Sequence, residues 1–264
     1  MRSFRRVFMQ DLHRAFSSRF ILATVVVVLL MLLENVWEIR TAVYQSGYTV
    51  YHFFFNTIVF SGLLGTYGAP VACALPYCGE LLQERIDGIH EQYVARVGFK
   101  QYYLSKYLTA TVSSGICLCM GYWLFIAVLL LFFPFADVSV VNAGMSVFPY
   151  IEYSLVGREW IHILIILYYG FLHGALYGAL STAASVFFKE KLVVYAMPFL
   201  IRFTWIQIYR LIPIKNEYRL DYWLLMRTGI QTDGATMLVA LLRVSLLIVI
   251  AAWIYLRKCE RRES

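Results

Sequence analysis

Long uncharged apolar runs alternate along this chain with short charged ones. Six apolar windows stand out: about Phe20–Leu33, Phe53–Gly79, Tyr107–Phe133, Trp160–Phe188, Leu192–Pro213 and Ala235–Leu256. A helix rises ~1.5 Å per residue, so about 20 residues cross a hydrocarbon core of ~30 Å. The first window reaches that length only if Glu34–Trp37 continue its helix. The pattern predicts an all-α polytopic membrane protein with six transmembrane helices. Residues 1–264 read as one domain: an interfacial helix over 1–19, the spans over 20–256, and a tail over 257–264.

Ahead of the first span, Phe4, Phe8, Leu12 and Phe16 recur every four residues, with Val7 and Ala15 beside them. Arg5, Arg6, Gln10, Asp11 and Arg14 occupy other faces. This spacing predicts a basic amphipathic helix lying in the membrane interface. In the second span, Pro70 and Pro76 predict a kink. In the fourth, Gly170, Gly174 and Gly178 form a small-residue ridge of the kind that lets helices approach closely in lipid. The ridge serves packing within the chain or a subunit interface. The segment Ile214–Gly234, with Tyr218, Tyr222 and Trp223, is amphipathic and could dip back into the membrane.

Composition agrees: 61% of the 264 residues are hydrophobic and 15% charged, against ~25% charged in soluble domains. Most of the 23 Lys and Arg fall on one side if the N-terminus is placed inside. The positive-inside rule then puts both termini and residues 80–106 in the cytoplasm. The net charge of +7 is thereby accounted for by topology and does not argue for nucleic acid. The long basic leader, with no small-x-small site after the first span, predicts an uncleaved N-terminus. Of the five cysteines, Cys73, Cys78, Cys117 and Cys119 lie in spans and Cys259 in the tail, so no disulfide framework is expected.

Chemistry-bearing motifs are few. The chain has no phosphate-binding G-x-x-x-x-G-K-[ST], no H-E-x-x-H and no G-x-S-x-G. Its five histidines are scattered, and no metal site is expected. The charges inside spans carry more weight, because each is costly in lipid. Glu34, Arg202, Gln207 and Arg243 form a candidate polar substrate path. Arg202, near mid-span, needs a partner from another helix, and Glu34 is the only acid near a span that could supply it. A structural reading also stands, in which Arg243 or Arg210 pairs with Glu34 or Glu38.

A dense run of charge separates the second and third spans, in Gly79–Lys106. A turn would need far fewer residues, so this segment is expected to dock a partner. Residues 84–97 are predicted as one short helix. Ile86, Ile89 and Tyr93, at i, i+3 and i+7, form its docking stripe, and Glu84, Arg85, Gly88 and Arg96 stand beside them.

These features together resemble the membrane subunit of type-2 ABC exporters. The residues that carry the likeness are Gly79-Glu80, Glu84-Arg85, Gly88, Arg96 and Tyr103-Leu104-Ser105-Lys106. One departure is Val97-Gly98-Phe99, where family members often have a proline. The resemblance implies a bacterial inner-membrane permease whose segment at 84–97 is a coupling helix seated on a separate ATPase subunit. It also implies two ATPase copies holding ATP and Mg, a second identical or related permease, and a re-entrant hairpin before the last span. The chain itself would hold no cofactor and hydrolyse no ATP. An amphipathic substrate is expected: a peptide (an antimicrobial peptide foremost), a drug or a lipid-linked molecule. The alternatives are a six-span secondary transporter or channel, which predicts inverted repeats and paired mid-membrane ionisable residues, and an intramembrane enzyme, which needs clustered catalytic groups.

Overall fold

The computed structural model describes residues 2–42, 48–59, 67–135, 156–212 and 233–263, with the isolated positions 150, 153, 215 and 219. All regular structure among them is helical. In chain order the helices are α1 (Arg2–Ala15), α2 (Ser18–Ala42), α3 (Val50–Val59), α4 (Ala69–Ala74) and α5 (Glu80–Ile86). There follow α6 (His90–Val97), α7 (Phe99–Leu130), α8 (Glu159–Ala184), α9 (Lys191–Leu211) and α10 (Asp233–Glu263). Five of these, α2, α7, α8, α9 and α10, are long and apolar enough to cross a membrane. The first expected span is long enough because α2 runs on past Glu34–Trp37 to Ala42.

The expected second span is represented among the described residues by α3 and α4, neither of spanning length alone; residues 60–66 lie outside the described set. Pro70 sits in the first turn of α4, where a missing N–H leaves nothing unpaired. Pro76 follows the end of α4, and Leu75–Gly79 forms turns where a kink was expected. The expected re-entrant stretch at 214–234 lies almost wholly outside the described residues, as does most of the loop at 134–159.

The structural centre is the seam between α7 and α8. The glycine ridge of α8 faces this seam, so it packs within the chain. A Cβ on Gly174 would come within 3.0 Å of the Gly115 Cα and run into the Ser114 carbonyl. On Gly178 it would lie 2.7 Å from the Ala110 carbonyl, and on Gly170 2.7 Å from the Tyr122 ring. Around this seam α8 is largely enclosed, whereas α9 and α10 leave most of their apolar surface uncovered.

Several polar groups inside the bundle are paired by a neighbouring helix. Pro198 in α9 cannot donate to the Val194 carbonyl one turn earlier, and the Ser181 hydroxyl of α8 donates to that carbonyl at 2.8 Å. Asn35 of α2 is fully buried and donates to Met31 O at 2.9 Å and to Thr57 Oγ1 of α3 at 2.6 Å. Cys78 Sγ contacts the Gly178 carbonyl at 3.6 Å, and Cys117 Sγ contacts Thr24 Oγ1 at 3.6 Å; both cysteines are buried.

Candidate functional site

The charged segment does not form one helix over 84–97. It forms two, α5 and α6, joined by a turn at Asp87–Gly88. Gly88 has φ +69°, the left-handed conformation glycine adopts without penalty. The Ile89 N–H reaches back to Glu84 O at 3.1 Å and the Gly88 N–H to Arg85 O at 3.2 Å, a Schellman termination of α5. Gly98, with φ +91° and ψ 143°, is the C-cap of α6, its N–H on Val94 O at 2.8 Å, and also the residue before α7. Two glycines thus fold a short helical hairpin at the foot of α7.

The hairpin has two contrasting faces. Ile86 is 62% exposed, and Ile89 and Tyr93 are each 41% exposed, so the expected apolar stripe does face outward although it spans the turn rather than one helix. Gly88 and Arg96 are also exposed. Glu84 faces the other way. It is buried, and this corrects its place on the docking face: it holds the hairpin to the bundle. Arg85 likewise turns inward. Its guanidinium donates to Tyr103 OH at 3.3 Å and lies 3.4 Å from Cys259 Sγ of α10.

Glu84 belongs to a buried ionic cluster built from α1, α5, α7 and the turn before α5. Its centre is Lys106, only 3% exposed. The Lys106 ammonium donates to Asp11 Oδ1 at 2.8 Å, Glu84 Oε1 at 2.7 Å and Tyr77 OH at 2.9 Å, which uses all three of its protons. Tyr77 OH donates to Asp11 Oδ1 and Ser105 to Asp11 Oδ2, each at 2.6 Å. Tyr102 OH donates to Glu84 Oε2 at 2.6 Å, and Arg14 to Glu84 Oε1 at 2.9 Å. Glu80 pairs with Arg14 and Arg19 nearer the surface. Burial alone would push the Glu84 carboxyl up, but Lys106, Tyr102 and Arg14 together hold it below the usual carboxylate range. Two acids against two bases make the inner cluster neutral, the condition under which buried charges are tolerable.

The sequence reading passed over this cluster. The spacing sets Asp11 off the apolar stripe of α1, yet it is buried, along with Ala15 one turn on, and Phe16 points outward instead. The available signal was that Asp11 lies in register with Phe4, Phe8 and Ala15, on the inward stripe of the helix. The sequence places Lys106 in the Tyr103-Leu104-Ser105-Lys106 motif and gives it no buried acidic partner.

Within the bundle, Arg202 does not meet Glu34. Its guanidinium lies 3.2 Å from His173 Nε2 and donates to Tyr177 OH, both on α8, and His173 also contacts Tyr177 OH at 2.7 Å. The acid expected as its partner is thus replaced by a buried imidazole and phenol. Glu34, Gln207 and Arg243 are half-buried on α2, α9 and α10. Among the described residues no group of three or more His, Cys, Asp or Glu is placed to hold a metal ion.

Comparison with protein-family models, with curated proteins and with solved structures finds no match for this chain.

Proposed function

We propose that this chain is the membrane subunit of an ATP-driven type-2 ABC exporter in a bacterial inner membrane, with both termini cytoplasmic. The observation that carries the reading is the hairpin α5–α6. It presents Ile86, Ile89 and Tyr93 to solvent while Glu84 and Arg85 anchor its back to α1, α7 and α10. An apolar stripe on a charged, rigidly held element is a surface shaped for a protein partner. In this reading the partner is an ATPase subunit, present in two copies and carrying ATP and Mg. A second permease copy covers the uncovered faces of α9 and α10. Closure of the ATPase pair pushes on the hairpin, and the ionic cluster passes that push to α1 and α7 as a rigid lever. The substrate is amphipathic, with a peptide first, and Arg202, Gln207, Arg243 and Glu34 line its path.

The test is copurification from the native host. The tagged chain is expected to carry an ATP-hydrolysing subunit, and Ile89→Asp with Tyr93→Asp to release it while the membrane helices stay folded. Retention of the partner by the double variant sinks the docking assignment; a tagged chain that brings down no ATPase sinks the exporter reading. A second reading, transport driven by an ion gradient, draws on Arg202 beside His173 inside the bundle. It is favoured if reconstituted chain alone moves protons or ions without any ATPase.

A further inference from the structure

At the basic end of α10 a groove of about 270 Å³ is lined by Phe187, Trp253, Ile254, Arg257, Lys258 and Arg261. We propose that this groove is a binding site for one anionic phospholipid, with the phosphate held by Arg257, Lys258 and Arg261 and an acyl chain lying along Trp253 and Ile254.

Spacing on the helix builds the site. Trp253, Arg257 and Arg261 follow one another at i, i+4 and i+8, and Ile254 and Lys258 form the adjoining row. Each row therefore passes from apolar to cationic along the helix axis, as a surface does where hydrocarbon gives way to headgroups. The aromatic groups pre-position the cations. The Arg257 guanidinium lies 4.2 Å from the Trp253 ring centroid, and the Lys258 ammonium 5.6 Å from that of Phe187, which follows the end of α8. Among the described residues no carboxylate pairs with any of these three cations. That sets the groove apart from the cluster around Lys106, whose charges are internally balanced. Phe187, Trp253 and Ile254 are all exposed, so an acyl chain has a surface to cover. On its opposite face the same stretch of α10 buries Tyr255 and Cys259 against Tyr103 and Arg85. A lipid bound in the groove therefore steadies α10 against the hairpin.

The experiment is native mass spectrometry of the full-length chain in detergent, titrated with dioleoylphosphatidylglycerol or dioleoylphosphatidylcholine. The first phosphatidylglycerol is expected to bind at least about tenfold more tightly than phosphatidylcholine. Arg257→Gln with Lys258→Gln is expected to weaken it by about thirtyfold, since each cation near the surface contributes ~1 kcal/mol. Trp253→Leu, which keeps every charge, is expected to weaken it a few-fold. Removing two other exposed cations by Arg5→Gln with Arg6→Gln is the control for general charge and is expected to change binding little. Equal binding of the two lipids, equal loss in the control, or displacement of the lipid by millimolar inorganic phosphate each overturns the proposal. Melting temperature in phosphatidylcholine micelles, expected to be unchanged in all variants, separates lost binding from lost folding.

Discussion

The α7–α8 seam and the Lys106 cluster both fasten helices together, and they do it by opposite means. The seam carries no charge. It works because Gly170, Gly174, Gly178 and Gly115 remove side chains and let two backbones meet, so the attraction is dispersion at close range. The cluster works by charge. Lys106, Asp11 and Glu84 give up water and replace it with one another, with three hydroxyls and with half-exposed Arg14. In lipid, where apolar burial drives nothing, close contact is the available force. At the membrane edge, water-filled alternatives exist, and a neutral, fully bonded ion group can specify one docking arrangement.

The strongest way to break that contrast is Gly174→Leu. Its side chain would meet the backbone of Ser114 and Gly115, which cannot rotate away. The variant is expected to yield no monodisperse folded protein on size-exclusion chromatography, and a sharp native-like peak would show that the seam is not the organising contact. Next in size is Lys106→Met. It fits the space but leaves two buried carboxylates side by side, at a cost of about 3–5 kcal/mol, equivalent to a melting point lowered by on the order of 10 °C. A loss of under a degree or two would mean water replaces the lysine and the cluster is not sealed. The smallest effect concerns pH. Because the Glu84 carboxyl is held low in the folded chain, its contribution is present above the ordinary carboxylate pKa and is lost as pH falls through the depressed value. Between about pH 5 and pH 3 the wild type is therefore expected to lose a few more degrees of melting temperature than Glu84→Gln. Parallel pH curves for the two proteins would contradict the role of Glu84 as a paired anion.

The five long helices were legible because a spanning segment must be apolar along its whole length, a signal that survives without knowledge of neighbours. The outward stripe Ile86, Ile89 and Tyr93 was legible as well, but the break inside it was read as continuity. Gly88 was weighed as part of a motif rather than as a left-handed helix terminator. Glu84 and Asp11 were misplaced for a common reason. A charged residue is assigned by its chemistry to the wet face even where, as for Asp11, its register is with the apolar stripe, and the partner that makes burial tolerable, Lys106, comes from a distant helix. The partners of Arg202 were missed similarly, because His173 and Tyr177 look like ordinary span residues until α8 and α9 are side by side.

The order in which the chain is made gives the Asp11–Lys106 pair a further meaning. Asp11 leaves the ribosome 95 residues before the lysine that neutralises it. At roughly 5–20 residues per second, that is a delay of about 5–20 s. During that interval the N-terminal helix has no buried place to put its carboxylate and has to rest on the bilayer surface in contact with water. Docking of the first helix thus waits for the start of α7, the second long helix, and its carboxylate reports that this part of the chain has arrived.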